Sequence, residues 1–212
     1  MEQQIEALNR TRLENAARAL RANGFSAEVY ASGREAADAA LKPAGSGRKV
    51  GLGGSMTVQA LGLPAALEKA GNTIVTHKPG MDAEQRRAVW LEALGSDIYL
   101  ASPQAVTMDG KLVFVDANGN RGAAVTWGPR RLVLIAGVNK LSKDQEEGLR
   151  RSRDTAAIAN NVRLSKDNPC VKTGRCADCA SPSRICNAAT ILWKKPWPAD
   201  ITVLLVNEEL GF

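Results

Sequence analysis

The chain has 212 residues, of which 44% are hydrophobic and 24% charged, enough to bury one sizeable core and short for two full domains. Its net charge of +6 invites a nucleic-acid reading, but aromatics make up only 4%, too few for a base-stacking platform. Basic residues also alternate with acidic ones along "LSKDQEEGLRRSRD", as on a solvated helix face, and a small anionic metabolite fits the charge equally well. The longest apolar runs, such as Leu132 to Val138, fall far short of a bilayer span, and the first twenty residues lack a secretory apolar stretch. The expectation is a cytoplasmic chain with no membrane partner.

In chain order, Glu2 to Asn23 is rich in Ala, Leu, Arg and Glu and predicts a helix closed by Gly24. "AEVYAS" follows as a short strand, and "GREAADAALK" as a helix that Pro43 stops. "RKVGLGG" is a β-run ending in glycines, and "TVQALGLPAALEKAG" a helix that Pro64 breaks or restarts. Then come the strand "NTIVTH", a helix over "MDAEQRRAVWLEALG" with Asp82 as its N-cap, and the strand "DIYLAS". This alternation predicts an α/β fold, a mostly parallel sheet flanked by helices. Between Ala105 and Gly128 the pattern changes: Asp109-Gly110 and Asn118-Gly119 are turn signals around an alternating run, which predicts a β-hairpin or meander. "RLVLIAG" returns to a buried strand, Ser142 to Val162 reads as one long charged helix, and "ITVLLVNEEL" supplies the last strand. All of this reads as a single domain, 1–212, with a Cys-rich loop at 168–187.

Three stretches are candidate ligand sites. "VGLGGSMT" places Gly53 and Gly54, with the hydroxyls of Ser55 and Thr57, at a strand–turn–helix junction suited to an anion. It is neither a Walker A loop nor G-x-G-x-x-G. "DANGNRG" reads as an Asn-Gly hairpin turn with Asn120 and the fork of Arg121 on its rim, suited to a carboxylate or phosphate. "AGVNK" puts Asn139 and Lys140 at the carboxyl end of a buried strand, the edge of an open sheet where ligands bind. His77, the one histidine, is expected in a surface or capping role, and Trp90, Trp127, Trp193 and Trp197 in core or hinge packing.

All four cysteines, Cys170, Cys176, Cys179 and Cys186, lie in "PCVKTGRCADCASPSRIC". Their spacing, C-x5-C-x2-C-x6-C, matches neither the ferredoxin runs nor a common zinc ribbon. A Cys-x-x-Cys pair with two flanking thiols can nonetheless wrap an iron–sulfur cluster or a zinc ion. Thiol–disulfide chemistry is the alternative, with Lys172 and Arg175 near enough in sequence to favour thiolates. A disulfide staple is disfavoured in a reducing compartment.

The segments "VGLGGSMTVQALGL", "DGKLVFVDANGNRGA", "AGVNK", "PCVKTGRCADCASPSRICN" and "VLLVNEELGF" resemble, in order over nearly the whole chain, the lactate-utilisation (LUD) domain family, in particular its short members with a four-cysteine loop. The resemblance implies the fold shared by ribose-phosphate isomerase, glucosamine-phosphate isomerase and the CoA transferases, with a glycine loop that cradles phosphate. "SPQAVTMDG" is more distantly similar to the "GADAITANG" segment of ribose-bisphosphate and methylthioribose-phosphate isomerases, whose aspartate does acid–base work. Here that position is Gln104, which transfers no proton at neutral pH, so ordinary isomerase chemistry is disfavoured. A CoA-transferase glutamate is missing as well, and Asp116 is the nearest carboxylate. Three functional expectations follow. The first is a redox-linked component of lactate or hydroxy-acid oxidation, with a cluster or metal in the Cys loop and iron–sulfur proteins as electron-transfer partners. The second is a non-redox enzyme or binder of a phosphorylated or CoA-linked metabolite, with structural zinc. The third is an assembly subunit without chemistry. A homo-oligomer is compatible with each.

Overall fold

The structure is a computed structural model describing Met1–Phe212. Its strands are β1 (Ser26–Tyr30), β2 (Lys49–Leu52), β3 (Thr73–Val75), β4 (Ile98–Ala101), β5 (Ala105–Thr107), β6 (Leu112–Asp116), β7 (Arg131–Gly137), β8 (Leu141–Ser142), β9 (Ala188–Leu192) and β10 (Asp200–Val206). The helices are α1 (Glu2–Ala22), α2 (Gly33–Leu41), α3 (Met56–Ala60), α4 (Leu63–Lys69), α5 (Ala83–Leu94), α6 (Asn120–Trp127), α7 (Gln145–Arg151), α8 (Ile158–Arg163) and α9 (Pro169–Thr173). No helix is long and apolar enough to cross a membrane.

Six strands form one fully parallel sheet in the order β1-β10-β7-β4-β2-β3. Alternate residues of each strand feed opposite faces, as the period of two requires. Leu132 and Leu134 of β7, with Ile201, Val203 and Leu205 of β10, join Leu13, Ala16, Ala17 and Leu20 of α1 in one core. Val133 and Ile135, with Leu204 and Val206, join Ala36 and Ala40 of α2 and Leu63 and Leu67 of α4 in the other. The central strands are therefore apolar on both faces, which explains the unbroken run "LVLIAG".

Local signals set the element ends. Gly24 (φ +88) follows α1. Pro64 sits in the first turn of α4, where its missing N–H has no partner to lose, so the segment from Met56 to Lys69 folds as two helices. Asp82 and Gln85 close a reciprocal capping box at the start of α5. Gln145 to Arg163 is continuous helix, but Ser152–Ala157 winds as π-helix.

The predicted excursion is a second sheet, ordered β8-β5-β6-β9. Asp109-Gly110 turns the β5–β6 hairpin as expected. Asn118-Gly119 makes no second hairpin: Gly119, in the left-handed region (φ +73), opens helix α6. The Asp116 carboxylate accepts the Gly122 N–H at 2.8 Å, which stabilises helix entry over a strand return. The tryptophans also depart from expectation. Trp127 and Trp197 are 84% and 87% exposed, Trp193 is exposed too, and Trp90 lines the cleft described below.

Gly110 seats the hairpin of the second sheet tightly against α1. It adopts φ +81, and a Cβ there would stand 2.4 Å from the Ala19 carbonyl carbon of α1. Asn23 Nδ2 also donates to the carbonyls of Asp109 and Gly110, at 2.9 Å each, and fixes the turn against the helix. Gly110→Ala is therefore expected to destabilise the chain by about 3 kcal/mol or more in urea denaturation, from left-handed strain plus overpacking against backbone. Gly80→Ala, at an open position with φ +86, should cost only about 1 kcal/mol.

Candidate functional site: a cationic cleft at the carboxyl edge of the sheet

The chain runs from β2 outward to β3, then re-enters beside β2 as β4 and continues outward on the other side to β7. The carboxyl ends of β2 and β4 thus flank a topological switch point, where the departing loops separate and leave a crevice. A cleft of about 540 Å³ occupies it.

Residues 54–57, after β2, form one wall. Ser55 caps α3, its Oγ accepting the Val58 N–H at 3.3 Å. Of the predicted cradle, Gly54, Ser55 and Thr57 line the cleft and Gly53 does not. Gly53 and Gly51 are instead needed against Tyr99: their Cβ atoms would lie 3.0 Å from Tyr99 Oη and 2.7 Å from Tyr99 Cδ2.

His77 follows β3, is half-buried and lines the cleft. Its Nδ1 accepts the Trp90 Nε1–H at 3.4 Å, the two rings meeting edge to face. Burial, reinforced by Arg86, lowers its pKa. Near neutral pH the ring is therefore neutral with the proton on Nε2.

Residues 102–104 follow β4. Gln104 is committed to the sheet: its Nε2 donates to the Val115 carbonyl at 2.7 Å and its Oε1 accepts the Val115 N–H at 3.2 Å. Asp116 ends β6, is 7% exposed, and pairs with Arg121 (Oδ1 to Nη2, 2.7 Å; Oδ1 to Nε, 3.0 Å). Arg121 also donates to the carbonyls of Ser102 and Val115. Most of its fork is thus engaged by the protein, so Arg121 contributes fixed positive potential more than a free clamp. Asn120 stands beside it on the cleft wall.

Lys140 and Asn139, adjacent after β7, face different ways. Asn139 pins the C-terminal segment, donating to the Gly211 carbonyl at 3.0 Å and accepting the Leu210 N–H at 3.1 Å. It does not line the cleft, whereas Phe212 does. Lys140 lines the cleft floor, 3% exposed. Its Nζ donates to Ser102 Oγ at 2.7 Å and Thr57 Oγ1 at 2.9 Å. Burial, with the Arg151 and Arg121 guanidinium groups adding to it, lowers its pKa from 10.5 to about 7.

The last wall comes from α8 and the Cys loop: Asn160, Arg163, Lys166 and residues 182–185. Buried Asn168 ties the two together, donating to Asn161 Oδ1 at 2.7 Å and accepting from Ser183 Oγ at 2.7 Å. The loop thus reaches the cleft, and Cys176 and Cys179 lie near enough to Cys186 to act on its charge. All four are free, and no three Cys, His, Asp or Glu side chains stand together as metal ligands. Cys170 Sγ accepts from Asn161 Nδ2 at 3.6 Å, and the Arg153 guanidinium lies against Cys176. Asp178 bridges Arg153 and Arg184 at 2.9 Å each. Burial raises the Cys186 thiol, with Arg184 partly opposing. As arranged, the thiols do not close into a ligand set for a tetrahedral zinc or a cluster.

A family profile described as the LUD domain matches residues 13–206. The chain belongs to the LUD-domain family. Among solved structures, this LUD-domain chain is similar to a DUF162 family protein from Deinococcus radiodurans, at 14% identity and a TM-score of 0.52, covering 95% of this chain and 98% of that one. At that identity the likeness concerns the fold. Curated protein sequences yield no match. The LUD-domain cleft includes His77, Arg86, Arg163, Lys166 and Arg184, none of them singled out in the sequence as ligand residues. His77 was within reach of the carboxyl-edge rule applied to Lys140. The others reach the cleft from the flanks of helices and a loop, where local sequence carries no signal.

Proposed function

We propose that this LUD-domain protein holds a small, multiply anionic metabolite in the cleft and serves the utilisation of lactate or a related hydroxy acid. One observation carries the reading. Five guanidinium or ammonium side chains line the cleft (Arg86, Arg121, Arg163, Lys166 and Arg184) around the Lys140 amine, against one lining carboxylate, Asp116, which already belongs to Arg121; Arg184 is paired outside the cleft with Asp178. Such an excess in a confined crevice focuses potential on an anion. The neutral His77 adds an N–H donor, and the family's name supplies the metabolic setting. The cysteine loop forms one wall of the cleft, so an iron–sulfur partner seated on that loop would lie beside the bound ligand.

Calorimetric titration with lactate, pyruvate, pyrophosphate and CoA esters tests this. A ligand bearing several charges is expected to bind with an affinity that falls as salt rises. Arg163→Ala and Lys166→Ala should each weaken it by about tenfold, the equivalent of one charge-assisted hydrogen bond. Absence of binding by every anion at millimolar concentration would overturn the reading. Tight binding of CoA esters or pyrophosphate without any hydroxy or oxo acid would favour the non-redox alternative. Metal and sulfide analysis of oxygen-protected protein decides the loop: metal-free protein is the result expected from thiols that do not close into a ligand set.

A further inference from the structure

The cleft floor holds a nucleophile that anion binding alone does not require. Lys140 is buried without a carboxylate partner. The one nearby acid, Asp116, is bonded to Arg121 and the Gly122 N–H, and the other charged groups acting on the amine are the Arg151 and Arg121 guanidinium groups. Its two hydrogen-bond partners are themselves oriented. Thr57 Oγ1 donates to the Leu210 carbonyl at 3.1 Å and Ser102 Oγ to the Pro103 carbonyl at 3.3 Å. With their protons so directed, both hydroxyls turn lone pairs toward Nζ. Two acceptors match the two N–H groups of a neutral amine, whereas an ammonium would bring three. The amine lone pair is then left for the cleft.

We propose that Lys140 is a carbonyl-condensing amine acting on an anionic aldehyde or 2-oxo acid held in the cleft, an inference that rests on the anion-binding reading above. Nζ attacks the carbonyl carbon, a C–N bond forms, and the π pair moves to oxygen. A proton passes from nitrogen to that oxygen through water, giving a carbinolamine. Uptake of one solvent proton and loss of the hydroxyl as water leave a protonated imine. Nothing is oxidised or reduced. Arg163 and Lys166 on the cleft wall hold the carboxylate or phosphate of the substrate, while Arg121 and Arg151 resist a protonated Lys140, so the amine is kept ready.

The test uses the full chain with glyoxylate as probe and cyanoborohydride as trap, followed by peptide mapping across pH, with and without pyrophosphate. One dominant reduced adduct is expected, on Lys140. It should form on the order of a hundredfold faster at pH 7 than on solvent-exposed lysines: a pKa of about 7 leaves on the order of a thousandfold more neutral amine, and the lower basicity takes back part of that gain. Its rate should level off above pH 7, pyrophosphate should suppress it, and Lys140→Met should abolish it. If calorimetry shows an anion bound but Lys140 reacts no faster than surface lysines, the amine role is overturned and the cleft reading stands. If Lys140 reacts rapidly and no anion binds or protects, the reading of an anionic substrate in the cleft is overturned. Should Lys140→Met unfold, Lys140→Arg, which cannot form the adduct, serves with its melting temperature as the fold control.

Discussion

Asp116→Ala is expected to destabilise the protein by about 3–5 kcal/mol, the loss typical when one partner is removed from a buried ion pair. Arg121 would keep a guanidinium whose side chain is only 13% exposed with no counter-charge, and the Gly122 N–H at the start of α6 would lose its acceptor. Asp116→Asn keeps oxygen and amide geometry without the charge, so it should lose less than the alanine variant in urea denaturation. A specific sign accompanies the loss. With its one carboxylate gone, the cleft becomes an unbalanced cation cluster, so pyrophosphate should raise the melting temperature of Asp116→Ala more than that of the unaltered chain. Equal stabilisation of both would show that Asp116 and the bound anion do not share one electrostatic field.

The second large effect is a pH dependence owed to Lys140. The unfolded chain carries this amine with a pKa near 10.5, the folded chain with a pKa of about 7. Below pH 7 it is protonated in both states, and the cost of burying the ammonium falls fully on the fold. Between pH 7 and 10.5 the unfolded state holds a proton that the folded state has released, so stability rises with pH, by about 1.4 kcal/mol per unit for one proton. Over the whole interval the gain approaches about 5 kcal/mol. Cys186 opposes it from about pH 9 upward and the tyrosines from about pH 10, because burial raises their folded pKa values, that of Tyr30 to about 12. Chemical denaturation at intervals from pH 7 to 9 is therefore the clean window. Lys140→Met should flatten the slope there; an unchanged slope would assign the proton to another group.

The parallel sheet was legible because two periodicities alternate: apolar strands such as Leu132 to Gly137 and amphipathic helices such as α1 obey local steric and burial rules. Capping by Asp82, the restart at Pro64 and the hairpin at Asp109-Gly110 were equally local. Asn118-Gly119 was misread because a left-handed glycine serves a hairpin and a helix entry alike. What separates them is Asp116, whose carboxylate meets the Gly122 N–H and Arg121 only after folding. The tryptophans were misread because an apolar side chain says nothing about whether neighbouring elements arrive to cover it.

The same division runs through the cleft. By itself the sequence determined the α/β class, the family and the positions of Gly54, Ser55, Thr57, Asn120, Arg121 and Lys140 at strand ends or turns. These follow from backbone chemistry within a few residues. The tertiary structure alone decided that Asn139 turns to the C-terminal segment while Lys140 turns to the cleft, and that Arg121 is held by Asp116. It also brought Arg163, Lys166 and Arg184 from helix and loop to face residues after β2, and left the four thiols without a closed ligand set. Each outcome is a long-range pairing of side chains distant in sequence, set by how the sheet orders its strands, and spacing along the chain carries no record of it.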